Sequence, residues 1–435
     1  MSSLTNKKIL KFWYPLASTW LMMSLEGPFI AAIIARLPEP KFNLAAYGVA
    51  FSFALIIESP IIMIMSASTA LVKDRYSFLK LRNFTYLLNL AITLLMLIVL
   101  IPPVFNYIAI DLITLPLHIA HLTHIAVAIL LPWPASIGYR RFYQGILISN
   151  NLTRRVAYGT IFRLVTMALT ALALYFFTNA DGVVVGATAM SIGVTSEAFV
   201  IKLMTLSTLK KIKIIYDKNG KDLDYRGLIN FYYPLALMSM LSLGVQPMVS
   251  FFLAQSKMPI ESLAVMPVIT SLVFIFRSVG LSFQEVAIAL MGKNGENYKQ
   301  LKNFAQMLGI IATFLLAIVA FTPLSQIWFH NVSGLSPELS SFARIPLMII
   351  AVMPGLSVLI TFQRSVLVYS RKTSPITFAT IIEVVGILLI LFITIKHLEF
   401  VGVIAAATAF LVGRTGSITY LMFPFLKTSR SFEKN

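Results

Sequence analysis

Phe231-Tyr232-Tyr233-Pro234-Leu235-Ala236 repeats Phe12-Trp13-Tyr14-Pro15-Leu16-Ala17 at a distance of 219 residues. The same spacing carries Glu26-Gly27-Pro28 onto Val245-Gln246-Pro247, and Leu44-Ala45 onto Leu263-Ala264. With one residue added, Pro134 falls on Pro354, Phe142 on Phe362 and Thr153 on Thr373. Gly182, Ala187-Thr188-Ala189, Gly193 and Thr195 fall on Gly402, Ala407-Thr408-Ala409, Gly413 and Thr415. A near-constant spacing along most of the chain means two copies of one unit of about 220 residues, with almost no net insertion.

The chain has 435 residues, 58% of them hydrophobic and 12% charged, with a mean hydropathy of +0.84. Soluble domains carry about 25% charged residues. Half that, spread among long apolar runs, predicts an all-α polytopic membrane protein. No short apolar segment precedes a small-residue cleavage site, so no cleaved signal peptide is expected. The absence of cysteine excludes disulfides, thiolate metal sites and cysteine catalysis. The net charge of +18 is not read as a nucleic-acid surface, because most of the Lys and Arg lie in short loops, where they set orientation.

About 20 apolar residues cross a bilayer core. Twelve such segments are expected, at 12–36, 44–72, 80–110, 116–148, 154–178, 181–208, 226–254, 261–291, 299–329, 337–369, 373–395 and 400–425. All should be helical, since lipid offers no partner for free backbone groups. Lys7, Lys8 and Lys11 precede the first span. The even-numbered loops carry Lys73, Arg75, Lys80, Arg82, Arg154, Arg155, the basic stretch from Lys202 to Arg226, Lys293, Lys299, Lys302, Arg371 and Lys372. The odd-numbered loops and their edges hold only Arg36, Lys41, Lys257, Arg344 and Lys396. This bias places both termini in the cytoplasm, and a bacterial inner membrane is the expected location. The expected organisation is a six-helix lobe at 1–208, a cytoplasmic linker at 209–225 and a second lobe at 226–435. Six is an even number, so the repeats are parallel, related by an axis along the membrane normal. A substrate site is expected between the lobes.

Charges in the middle of spans are costly, about 2.5–3.5 kcal/mol each on insertion scales, and usually face protein or a cavity. Arg140, Arg141 and Arg364 lie near cytoplasmic span ends and are expected to snorkel. Glu26, Glu58, Arg163, Arg277, Glu383 and Arg414 are central, and Glu197 and Glu285 lie in cytoplasmic halves. Glu58 and Arg277 are repeat equivalents of opposite charge, and so are Arg163 and Glu383. Glu58 and Arg277 are expected to face one another or one shared ligand. Pro28 should bend span 1 beside Glu26, because a proline removes a helical hydrogen bond and crowds the carbonyl four residues back. Pro247 predicts a matching bend in span 7. Ser239, Ser242, Gln246 and Ser250 share one helical face, as do Gly159, Arg163, Thr166 and Thr170. Such faces either line a cavity or bond helix to helix.

No Gly-Lys-Ser/Thr phosphate loop is present, so ATP hydrolysis is not expected. His118, His121 and His124 have no carboxylate close in sequence but Asp111, and a metal site is not expected. No Ser/His/Asp arrangement supports catalysis.

Twelve spans in two parallel halves, proline-bent spans 1 and 7 and a cytoplasmic link resemble the multidrug and toxic-compound extrusion (MATE) fold. That fold belongs to a superfamily shared with oligosaccharide-lipid flippases. Phe231-Tyr232-Tyr233-Pro234-Leu235-Ala236, Ala46-Tyr47-Gly48-Val49-Ala50-Phe51-Ser52, Gly280-Leu281-Ser282-Phe283-Gln284-Glu285 and Val401-Gly402 are similar to the progressive ankylosis branch, which is linked to organic-anion export. Extrusion proteins often carry an acidic residue in span 1 for proton or sodium coupling, and Glu26 is the nearest candidate. Glu58 and Arg277 match no family motif and rest on the repeat alone. The expectation is a monomeric secondary transporter, not an enzyme, exporting an organic anion or drug-like compound by alternating access. Glu26 and Glu58 would take the coupling ion. Arg277, Arg163, Glu383, Arg414, Gln246 and Ser242 would meet the solute, with membrane lipid around the bundle and no cofactor. The alternative is a flippase for a lipid-linked sugar phosphate. A membrane scaffold is disfavoured, since central charges would then cost stability without use.

Overall fold

The computed structural model describes residues 4–24, 26–34, 36–112, 115–214, 224–333 and 335–433. Residues 215–223, most of the expected linker, lie outside them. Span 1 is two helices, Asn6–Met23 and Glu26–Ile34. Among the described residues eleven further helices are long and apolar enough to cross a membrane. Spans 2 to 6 are Phe42–Leu71, Arg75–Leu100, Leu117–Ser149, Thr153–Phe177 and Gly182–Ile212. Spans 7 to 12 are Tyr225–Leu253, Glu261–Leu290, Tyr298–Phe321, Pro337–Tyr369, Ser374–His397 and Gly402–Arg430. The chain is thus an all-helical polytopic membrane protein of twelve spans.

The repeat is structural as well as sequential. Span 4 breaks between Ile129 and Trp133, and span 10 breaks 220 residues later, between Ile349 and Met353. Each second half starts with a proline in its first turn, Pro134 and Pro354, where the missing N–H costs nothing. Wide helical turns recur at Tyr107–Leu112 and Ile327–Val332. Left-handed backbone recurs too, at Glu39 (φ 49°) and Met258 (φ 54°), then at Asn151 (φ 64°) and Arg371 (φ 57°). Side chains so unlike do not choose that conformation, which is uncommon outside glycine; the path of the chain imposes it. Asn43 Oδ1 accepts from the Val183 amide at 2.9 Å, and Ser262 Oγ, its equivalent, accepts from the Val403 amide at 3.1 Å. Each bond ties the first turn of the sixth helix of a copy to the second helix.

Where a bend was expected beside Glu26, span 1 parts into two helices. A proline at 28 has no N–H for the helical bond to residue 24, and the first helix ends at Met23 while the second begins at Glu26. Tyr225–Ala254 runs through Pro247 as one helix. Pro28 follows Gly27, which loses most entropy in a helix, whereas Pro247 follows Gln246, a good helix former. One lost hydrogen bond is absorbed in the second case and not in the first.

The described chain divides into two compact units, Met22–Tyr232 and Met1–Leu21 with Tyr233–Asn435. They are called the N-terminal and C-terminal units below. In the C-terminal unit a core of Val249, Val265, Ile269, Leu316, Phe329, Leu347, Ile387 and Ala406 joins spans 7 to 12. Trp13 joins the same unit, its indole N–H donating to Ser282 Oγ at 2.8 Å. Outer faces are apolar. Leu87, Leu90 and Leu94 are exposed along span 3, and Ile310 and Phe314, the equivalents of Leu90 and Leu94, along span 9. Exposed apolar stripes of this length suit hydrocarbon rather than water.

Candidate functional site

In the N-terminal unit four buried charges from four spans close on one another. Glu26 stands in the first turn after the break in span 1 and accepts from Arg163 of span 5. Arg163 Nε also lies 3.4 Å from Glu197 of span 6. Glu197, wholly buried, is bonded by Arg140 of span 4. Gln144 Nε2 and Thr160 Oγ1 donate to its other oxygen at 3.2 Å each. Arg140 and Gln144 are four apart on span 4, Thr160 and Arg163 three apart on span 5. Each pair therefore lies on one helical face and reaches one carboxylate. Two carboxylates meet two guanidinium groups, which is the condition under which buried charge is tolerated. Arg140 departs from the expectation that it snorkels. It is 3% exposed, because an ion pair with Glu197 is nearer than any headgroup.

Glu58 is buried at the end of the first helix of span 2, where the chain tightens through Ser59–Ile61. It accepts from Trp133 Nε1 at 2.5 Å. Trp133 meets the ring of Phe51 edge-on at 5.6 Å, and Phe51 stacks on Tyr47 at 6.1 Å. Trp133 begins the second half of span 4. A lone indole has no sequence signature as a carboxylate partner, and the sequence did not single it out.

The C-terminal unit places a different set at equivalent points. Glu383 pairs with Arg414 at 2.8 Å. Arg364, equivalent to Gln144, donates to Thr380, equivalent to Thr160, at 3.3 Å. Ser417 stands where Glu197 stands in the other copy; it is wholly buried and its hydroxyl has no bonded partner among the described residues. Arg277 donates through Nε to Ser357 Oγ at 2.9 Å. Glu58 and Arg277, expected to face one another, thus each take a partner inside their own unit.

Arg277 and Gln246 line a cavity of about 340 Å³ with Pro267, Thr270, Ser271, Val273, Phe274, Ile350, Met353 and Phe410. Ser242 is exposed but is not in this lining. The hydroxyls of Ser239 and Ser250 bond carbonyls of their own helix, as do those of Thr166 and Thr170. Of these two polar faces, Gln246 lines the cavity and Arg163 joins the charged cluster. His118 is 3.3 Å from Glu39, a carboxylate distant in sequence, and His124 bonds the Leu100 carbonyl at 2.9 Å.

No family model matches the chain, and no curated protein matches it. Solved structures do. A structure described as MATE in the straight conformation superposes with a TM-score of 0.78 at 16% identity, covering 98% of this chain and 96% of that one. A Vibrio cholerae MATE transporter gives 0.73 at 14%, covering 98% and 97%. An outward-facing multidrug resistance MATE family transporter gives 0.71 at 15%, covering 99% of each chain. The chain has a MATE-like fold over its whole length.

Proposed function

We propose that a chain with this fold and these buried charges is a secondary transporter that exports an organic solute by alternating access, driven by a proton or sodium gradient. The observation that carries the reading is the Glu26–Arg163 pair beside the break in span 1. A carboxylate there is held by a guanidinium that has a second carboxylate within 3.4 Å, so the guanidinium has another partner to turn to. A proton or a sodium ion on Glu26 cancels its charge, and Arg163 then turns wholly to Glu197. The broken helix beside it is the element such a switch would bias. Glu58 is a second candidate for the coupling ion. Arg277, Gln246, Glu383 and Arg414 are the candidates for solute contact, while Arg163 serves the coupling cluster and Ser242 stands outside the cavity. The setting is a multi-pass protein of a bacterial inner membrane with both termini cytoplasmic.

The test is transport in proteoliposomes holding the purified chain, with fluorescein as an organic anion and ethidium as an organic cation. A pH or sodium gradient should drive uptake of one dye, and Glu26→Gln should abolish it. Undiminished gradient-driven uptake by Glu26→Gln rejects the role of Glu26. Gradient-independent movement of a lipid-linked sugar phosphate, with no movement of either dye, supports a flippase instead.

A further inference from the structure

The two copies differ where the C-terminal unit has its cavity. In the N-terminal copy the second and fourth spans meet through Phe51 and Trp133, with Tyr47 stacked behind and Glu58 bonded to the indole. The equivalent residues are Thr270, Met353, Met266 and Arg277. Three aromatic rings are replaced by a threonine and two methionines, and the carboxylate by a guanidinium. Where one copy sets its own rings against one another, the other holds a void of about 340 Å³, within the range of small-molecule pockets.

Charge is equally uneven. The middle of the N-terminal unit sets Glu26, Glu58 and Glu197 against Arg140, Arg141 and Arg163. The C-terminal unit sets Glu383 and Glu285 against Arg277, Arg364 and Arg414. Arg414 is paired with Glu383, whereas Arg277 is bonded only through Nε, to the neutral hydroxyl of Ser357. Its two terminal nitrogens, the fork that grips a carboxylate, bond no side chain among the described residues.

We infer that the cavity beside Arg277 binds a small aromatic carboxylate, whose ring fills the space that Phe51 and Trp133 fill in the other copy and whose carboxylate takes the free fork of Arg277. Phe274 and Phe410 flank the ring, and the Gln246 amide supplies a further donor. This names a substrate class for the transporter proposed above and rests on that reading only in treating the bound molecule as cargo.

The test is calorimetric titration of the full-length protein in phosphatidylcholine nanodiscs, without any gradient. The probes are indole-3-acetate, its neutral isostere indole-3-acetamide, and the cation tryptamine. The acetate should bind at least tenfold more tightly than the amide, and tryptamine not at all. Arg277→Gln should remove the preference for the acetate, and Arg277→Lys should keep part of it. Thr270→Phe with Met353→Trp, which sets two rings of the other copy here as a plug, should abolish binding. Equal affinity for acetate and amide, preference for tryptamine, or binding that survives both the Arg277→Gln change and the plug overturns the inference. Loss of acetate binding in phosphatidylglycerol nanodiscs overturns it too, since the site would then belong to a lipid headgroup. If the plugged variant fails to fold, the acetate-to-amide ratio of the unaltered protein decides. Failure here leaves gradient-driven dye transport and its dependence on Glu26 untouched, so the two readings fail separately.

Discussion

Arg163 bonds Glu26 across 137 residues of sequence, and the same guanidinium stands 3.4 Å from Glu197. One side chain thereby joins span 1, just past its break, to spans 5 and 6. Removing one partner of a buried pair strands the other, at a cost of about 3–5 kcal/mol. Arg140→Gln is expected to lower stability by about that amount, because Glu197 keeps only part of its compensation. Arg140→Gln with Glu197→Gln should cost less than the sum of the two single changes. A double-mutant cycle by chemical unfolding in micelles measures this. Strict additivity would show that the pair is not coupled.

Trp133 gives Glu58 its hydrogen bond at 2.5 Å. Trp133→Phe keeps much of the ring and removes the donor, so it should cost about 1–3 kcal/mol, the penalty for a buried acceptor left unpaired. Trp133→Phe with Glu58→Leu should recover part of the loss. A thermal melt in which the single variant matches the unaltered protein would remove the bond from the stability argument.

Gly145 packs span 4 against span 2. A Cβ there would stand 2.5 Å from the Met65 carbonyl oxygen and 2.6 Å from Ser68 Cβ. The carbonyl belongs to a helix backbone and cannot swing aside. Gly145→Ala is therefore expected to destabilise by about 1–3 kcal/mol, as overpacking does. By contrast, Gly244→Ala meets nothing within 4 Å and should be neutral or slightly stabilising. Equal melting temperatures for the two variants would contradict the packing.

Lys257 and Glu399 join the loops before spans 8 and 12, with Nζ 2.6 Å from Oε2, beside a parallel bridge between Lys257 and Val401. The hydrogen bond from Lys257, and then its charge, holds the Glu399 carboxyl below its ordinary value. A carboxyl whose folded pKa is lowered adds stability above its unfolded pKa and loses it as pH falls through the folded one. The difference in melting temperature between the unaltered protein and Glu399→Gln should be small at pH 7. It should vanish well below the ordinary carboxylate range and shrink in high salt, because the pair is exposed. A difference that grows on acidification would reverse the sign of the argument.

The sequence by itself determined the membrane class, the twelve spans and the duplication. Those depend on apolar length, on loop charge and on self-similarity, all of them local or periodic. It also located the irregularity in span 1, expected as a bend, since a proline acts on the carbonyl four residues before it. It did not say that span 1 would part into two helices while span 7 runs on through Pro247 as one, because whether a helix absorbs a lost hydrogen bond depends on its neighbours as well as on the proline. It found Glu26, Arg163, Glu383 and Arg414 as central charges, and Glu197 in a cytoplasmic half, but not how they combine. Only the tertiary structure decided that Arg140 turns inward to Glu197, that Trp133 serves Glu58, and that Arg277 opens on a cavity. A span fixes the depth of a side chain through its place along the helix. Partner choice also needs the rotation of each helix about its axis and the packing of helices far apart in the chain, and no local pattern carries either.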